Sequence, residues 1–349
     1  MFNYAFLGTL RRCIDKKIAV LTSGGDAPGM NACLRSIVLA ANHYSISVLG
    51  FEHGYNGLIN NEFIELSYAA INQGIHLGGT LLKSARCEKF HLPSYVELAA
   101  NHLNALDIDA LIVIGGDGSF RGLQVLSQIW NKPVIGVPGT IDNDLFGTDY
   151  TIGFHTAVET VVGAIDKIRD TADALERIFL VDVMGQHSGF IALQASIACG
   201  AEFAMYPESK LSEHQEIEEI IAHIEAARKL HEKNSFIMVL TENHPIGNAQ
   251  QVADMLTKQI GIECRPCILG HIQRGGTPCA QDRVLATKLG ACAVDSLVSG
   301  KNKMMVGEVK NEIVLTSLTD TYEKKKQLDI ALFAIQHQLF DLVNELNSD

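Results

Sequence analysis

Glycine-flanked carboxylates and glycine-rich stretches punctuate this 349-residue sequence at three places. Asp117 stands in VIGGDGS, residues 113–119, and Asp142 and Asp144 stand two apart in PGTIDND, residues 138–144. The third stretch is LTSGGDAPGMN, residues 21–31. Paired glycines let backbone N–H groups approach a phosphate, and a following helix start adds positive partial charge. An exposed Asp117 beside such a loop suits Mg2+, which takes one or two carboxylates and completes its shell with phosphate oxygens and water. In an extended segment Asp142 and Asp144 face the same way. One can accept the proton of a hydroxyl attacking phosphorus while the other holds metal or orients its partner. Each loop alone reads equally as a tight turn; the three together argue for chemistry on phosphates.

The usual nucleotide fingerprints are missing. Arg121 replaces the third glycine of G-x-G-x-x-G, and no G-x-x-x-x-G-K-[ST] occurs. Other candidates lie further on. LGHIQRGG, residues 269–276, offers His271 and Arg274, three apart, a pair able to hold a dianionic phosphate. TEN at 241–243 ends an apolar run with Glu242, and VMGQHSG at 183–189 ends another. Arg177 and Arg265 start or precede apolar runs, an odd place for a charge unless it meets an anion or another subunit. Cys264-x-x-Cys267 with His271 lacks the second pair that a structural zinc site needs.

These loops need a scaffold, and the apolar pattern supplies one. Short β-branched runs predict strands at 17–22, 47–51, 110–114, 134–137, 177–183, 236–240 and 267–269. Continuous runs such as ALIVIGG point to parallel strands buried on both faces. Between them lie helical periods, such as 211–231, where Ser212 and Gln215 form a capping box and Ile217, Ile220, Ile221 and Ile224 mark an apolar face. Strand–helix alternation means an α/β fold with parallel sheets, and the length accommodates two, with a soft boundary near Gly153. Ligands in such sheets bind beyond the carboxyl ends of strands, so the three loops are expected to converge on one cleft.

Composition bounds the partners. With 47% hydrophobic and 19% charged residues the chain can bury a sizeable core. A formal net charge of -12 argues against nucleic acid and anionic membrane surfaces, which require a positive field. No segment approaches the roughly 20 apolar residues that cross a bilayer. Eight irregularly spaced cysteines suit free thiols in a reducing cytosol, hence a cytoplasmic protein. The start, MFNYAFLGTLRRCIDKK, places its charge after the apolar stretch, the reverse of a secretory signal, and reads as a small disordered or surface extension. At the other end Leu328, Leu332, Ile335, Leu339, Leu342 and Leu346 repeat at spacings of four and three, as in a packed terminal helix or a short coiled-coil seam.

In order and spacing, SGGDAPGMN, GGTLLKSAR, IGGDGS, PGTIDNDL, GTDYTIGF, VMG, TEN and LGHIQRGG resemble the 6-phosphofructokinase family from about residue 17 to 307. The resemblance implies two three-layer α/β/α domains with mainly parallel sheets. The larger, ATP- and Mg2+-binding domain would take residues 1–152 with about 273–322, and the smaller, sugar-phosphate domain about 153–272 with 323–349. It implies transfer of the γ-phosphate of Mg-ATP to the 1-hydroxyl of fructose 6-phosphate, in glycolysis. Gly25, Arg86, Cys87, Gly116, Asp117, Gly118 and Ser119 match ATP-site positions, with Asp117 the magnesium ligand. Asp142 matches the general base, with Arg86 and Thr140 as further catalytic groups. Thr140, Ile141, Met184, Gly185, Gln186, Glu242, His271, Ile272, Gln273 and Arg274 match sugar-phosphate positions. Arg177 and Arg265 match residues that reach the 6-phosphate from a neighbouring subunit, which implies a homotetramer with shared sites.

Lipid and NAD kinases share GGDG but not the downstream motifs. Pyrophosphate-using relatives carry Asp and Lys where this chain has Gly118 and Gly139, so ATP is the expected donor. A regulatory, non-catalytic homologue is the remaining alternative; Gln186, in place of the family's arginine, speaks for it, and the retention of Asp117 and Asp142 against it. Lys83 replaces a usual glycine and would restore positive charge near the donor. Arg35, Arg169, Glu202 and Lys233 match the bacterial effector pocket, whereas Leu39, Glu62 and His231 replace its cations, so effector responses are expected to be weak.

Overall fold

The computed structural model describes residues 16–209, 211–231 and 235–340, and the chain forms two compact units. The first comprises residues 1–140, 145–153 and 277–325, and the second 141–144, 154–276 and 326–349. The N-terminal extension, residues 1–15, lies outside the described residues.

Among the described residues the first unit carries a seven-stranded sheet. Its strands are β1 (Lys17–Thr22), β2 (Ser47–Phe51), β3 (Phe63–Glu65), β4 (Ala110–Gly115), β5 (Val134–Pro138), and, late in the chain, β10 (Met304–Val309) and β11 (Glu312–Ser317). Their order is β11-β10-β5-β4-β1-β2-β3, parallel throughout except for the antiparallel edges β3 and β11. Both faces are covered, which explains the unbroken apolar runs. Ala19, Leu21, Leu111 and Val113 join a buried cluster with Leu58, Val96, Leu103, Phe120 and Leu123 from three helices. Alternate side chains point the other way: Ile114 lies on the face covered by Met30 of the helix Met30–His43, which packs in turn on the helix Ala280–Val298.

The second unit carries β6 (Ile178–Val183), β7 (Phe203–Met205), β8 (Phe236–Thr241) and β9 (Cys264–Ile268), all parallel, in the order β7-β8-β6-β9. Ile178, Leu180, Phe236, Met238 and Leu240 bury against Ile217, Ile220 and Ile224 of the helix Glu213–His231 and Val252, Ala253 and Leu256 of the helix Ala249–Ile260. The expected capping box is formed, with Ser212 N donating to Gln215 Oε1 at 3.0 Å and Gln215 N to Ser212 Oγ at 3.4 Å. Helices Phe154–Leu175 and Phe190–Cys199 cover the opposite face. No described helix is long and apolar enough to cross a membrane.

Candidate active site

In the first unit β5, β4 and β1 are neighbours, so the loops leaving their carboxyl ends start side by side. Ser23 N donates to Ile114 O at 2.9 Å and Gly139 N to Gly115 O at 3.0 Å, tying the three together. Glycine is required at 115: an added Cβ would lie 2.5 Å from Ser119 Oγ and 2.7 Å from Ser23 O. Beyond it Gly116 faces Thr140, 3.7 Å from where a Cβ would stand. Asp117 opens the helix Asp117–Ile129 on an exposed first turn, while Ser119 behind it is buried. Gly118 N donates to Asp117 Oδ1 at 2.6 Å, and Asp117 Oδ2 lies 3.7 Å from Arg121 Nε. The carboxylate expected to be unshielded thus has a cationic neighbour, although Arg121 is itself engaged with Tyr322, its guanidinium 4.3 Å from the ring centre.

The segment bearing Arg86 and Cys87 is laced to the first loop. Thr22 Oγ1 donates to Lys83 O at 2.7 Å, Ser84 Oγ to Gly24 O at 2.6 Å, and Asn56 Nδ2 to Arg86 O at 3.2 Å. Asn31 clamps its start, donating to Leu77 O and Gly78 O at 3.2 Å each and accepting from Leu81 N at 2.7 Å. Gly25 and Arg86 are exposed, and burial pushes the half-buried Cys87 thiol above its usual pKa. Thr22, Asn31 and Ser84 lie inside quoted motifs but, like Asn56, act on backbone groups distant in sequence, so the motifs did not announce this lacing.

In the second unit the carboxyl ends of β6, β8 and β9 gather another group. Glu242 Oε1 accepts from Gln186 N at 3.0 Å and Gly185 N at 3.4 Å, while Asn243 Nδ2 donates to Gln186 O at 3.4 Å. Gly185 has φ 148°, and a Cβ there would meet Ser188 O at 2.4 Å. Ser188 Oγ donates to the backbone oxygen of Asp142 at 3.1 Å. Asp142 is buried, as are Ile141 and Met184, whereas the Gln186 side chain is exposed. Burial, reinforced by the charge of Glu242, pushes the pKa of Asp182 up to about 6.

His271 and Ile272 are exposed and Arg274 is half-buried, on and just after the turn Gly270–Gln273 that follows β9. Gln273 is placed differently. It is fully buried, its Oε1 accepting from Met184 N at 3.1 Å and its Nε2 donating to Gly270 O at 3.0 Å. Its amide oxygen thus ties the end of β6 to the His271 turn, while its amide nitrogen closes that turn on itself.

Arg177 and Arg265 lie at the opposite, amino ends of β6 and β9. At about 3.3 Å per residue, most of a strand separates each of them from the carboxyl-end group of Glu242 and His271. They flank Glu263: Arg177 Nε lies 3.1 Å from Oε2, and Arg265 pairs with Oε1. The odd charges therefore have an anion within the chain, a partner the sequence reading missed.

The family model described as phosphofructokinase matches residues 17–297. The chain belongs to the phosphofructokinase family. It is 46% identical to the ATP-dependent 6-phosphofructokinase of Brevibacillus brevis and 45% identical to ATP-dependent 6-phosphofructokinase 1 of Thermus thermophilus. Each alignment covers 93% of this chain and 99% of the relative. Among solved structures, phosphofructokinase from Saccharomyces cerevisiae matches with TM-score 0.83 and 30% identity over 94% of this chain, and that from Pichia pastoris with 0.85 and 32% over 94%. This chain spans 47% and 38% of those longer chains.

Family departures acquire physical reasons. Lys83 adopts a left-handed φ of 56°, the conformation that favours glycine. Its ammonium pairs with Glu52 at 3.2 Å, so the charge expected to help the donor is already matched. Gly139 has no room for a side chain: a Cβ would meet Ile114 Cγ2 at 2.7 Å. Gly118, by contrast, faces open space. Of the effector positions, Arg169 pairs with Glu202 at 3.0 Å and donates to Gly200 O at 2.8 Å, and Lys233 lies outside the described residues.

Proposed function

We propose that this chain is an ATP-dependent 6-phosphofructokinase, transferring the γ-phosphoryl group of Mg-ATP to the 1-hydroxyl of fructose 6-phosphate and yielding fructose 1,6-bisphosphate and ADP. The observation that carries the reading is identity of about 45% along nearly the full length of relatives bearing that name. In this reading the first unit binds the nucleotide through Gly25, Arg86, Cys87, Gly116, Gly118 and Ser119, and the second binds the sugar phosphate through Met184, Gly185, Gln186, Glu242, His271, Ile272 and Arg274. Ile141 and Gln273, also matched to sugar-phosphate positions, are buried, and Gln273 holds Met184 N and Gly270 O. Asp142 accepts the proton of the 1-hydroxyl as that oxygen attacks phosphorus. Arg86 and Thr140 face the charge on the transferred group, where fixed positive charge and hydrogen-bond donors lower the barrier.

Asp117 fits a Mg2+ ion delivered with the nucleotide. It is exposed at a helix start, and its Arg121 neighbour, 3.7 Å away, also stacks on Tyr322. Among the described residues no group of three or more His, Cys, Asp or Glu could cage a metal, so phosphates and water would supply the other ligands. When bound, the ion neutralises phosphate charge.

Arg177 and Arg265 point to an assembly. The family resemblance gives them a role at a neighbouring subunit's 6-phosphate, and with it a homotetramer with shared sites; their place at the amino ends of β6 and β9 is compatible with that role. The cysteine usage supports a cytoplasmic location. The test is a coupled assay of ADP formation. ADP release dependent on fructose 6-phosphate is expected; its absence, or equal turnover driven by pyrophosphate, overturns the proposal.

A further inference from the structure

Asn143 stands between Asp142 and Asp144, buried and in the left-handed region at φ 55°. Its Oδ1 accepts a hydrogen bond from Lys326 Nζ at 2.8 Å, across 183 residues of sequence. The same ammonium sits 5.1 Å from the ring centre of Phe190. Phe190 opens the helix that follows Ser188, whose Oγ holds the backbone oxygen of Asp142 at 3.1 Å. The Asp142 loop is thus gripped twice, by Ser188 on the backbone and by Lys326 on the neighbouring side chain.

Lys326 is itself secured. Four residues on begins the helix Ile330–Phe340, which packs on the helix Phe190–Cys199. Its Phe333 ring lies 5.8 Å from that of Tyr206, and its buried Gln336 bonds to the Tyr206 hydroxyl. Tyr206 in turn packs against Gly189, 2.6 Å from where a Cβ would stand, at the start of the helix bearing Phe190. The anchor and the grip therefore meet on one element. This terminal helix lies beyond residue 297, where the family match ends.

We infer that Lys326 is a positioning residue for the Asp142 loop and that the C-terminal helix is the strap that keeps it there. The inference rests on Asp142 being the general base. A charge-assisted bond to a buried amide is short and directional. It resists the small displacements of a catalytic group that can lower turnover by large factors.

The test uses the full chain with Lys326→Met, Lys326→Arg and Asn143→Gly, the last removing the acceptor while tolerating the left-handed backbone. Lys326→Met is expected to lower kcat about tenfold, with KM for ATP and Tm unchanged, and Lys326→Arg to restore most of it. In the Asn143→Gly background Lys326→Met should change nothing further. Hydrogen exchange over residues 139–146 should quicken in Lys326→Met. A wild-type kcat in Lys326→Met overturns the inference, as does a loss fully additive with Asn143→Gly. If the wild-type chain makes no ADP from fructose 6-phosphate, the functional reading fails separately. Exchange then decides alone, and unchanged protection of 139–146 overturns the strap.

Discussion

Glu242 Oε1 accepts the backbone N–H of Gln186 at 3.0 Å, fixing the backbone of a residue whose side chain is left in solvent. The family resemblance implies arginine at this position, and Gln186 keeps a left-handed φ of 55° that an unbranched side chain tolerates. Nothing in the local backbone therefore forbids the cation. Gln186→Arg should add fixed positive charge near the transferred group and raise kcat about tenfold, roughly 1.4 kcal/mol off the barrier. Steady-state kinetics at saturating substrates check this; an unchanged or lower kcat removes position 186 from charge stabilisation.

Asp142→Asn should lower kcat by at least about 10²-fold, the low end for a lost general base. The bond from Ser188 goes to the backbone oxygen, so the substitution leaves that support intact. KM for ATP and thermal stability should hold. Turnover near the wild-type level would assign the proton to another group.

Donor choice is testable at Gly118, where an added Cβ meets nothing within 4 Å. Gly118→Asp should fold normally yet raise KM for ATP, because a carboxylate would project where the nucleotide is proposed to lie. Gly139→Lys, in contrast, should fold poorly, since its Cβ collides with Ile114. Thermal melts and ATP kinetics on the two variants separate the effects. Unimpaired ATP use by Gly118→Asp would refute the steric account.

Legibility in the sequence followed the burial pattern. β1 and β2 were readable to the residue, because apolar strands covered on both faces leave unbroken runs bounded by polar residues. β9 is expected at 267–269 but extends over Cys264–Ile268, where Pro266, which has no N–H to give a ladder, is tolerated because β9 is an edge. The hairpin β10–β11 was missed since its turn, Lys310 and Asn311, takes φ 53° and 65° without the glycine that usually signals it. The terminal leucine repeat gave the helix but not its packed face, which carries Phe333 and Gln336 while Ile335 is exposed. Leu342 and Leu346 lie outside the described residues. For the site, glycine–carboxylate motifs were visible because they are local. The lacing by Asn31, Ser84 and Ser188, and the pairing of Glu263 with two arginines, depends on tertiary neighbours.

The arginines lead to a prediction about assembly. If Arg177 serves a neighbouring subunit, mixing Arg177→Ala chains with Asp142→Asn chains should regain activity, because some sites combine the intact residue of each. Subunit exchange would be verified by differently tagged chains. Exchange without recovered activity would mean that each site is completed within one chain.

The last prediction concerns pH. Asp182 ends buried in β6 beside Glu242, and its pKa rises from 3.8 to about 6, mainly through desolvation and then through that like charge. The unfolded chain releases this proton near 3.8, the folded chain only near 6. Between these values the folded state binds more protons than the unfolded one, so stability falls as pH rises. Below the window the group contributes nothing; above it the whole cost of a buried charge remains. Asp182→Asn removes the ionisation while its carbonyl oxygen can still accept the bond from Ala249 N. Its Tm advantage over the wild type should therefore be largest above about pH 6 and shrink towards pH 4. Melting curves at intervals across this range decide it. An advantage that does not change with pH, or one that grows as pH falls, would show that Asp182 is ionised in the folded protein throughout.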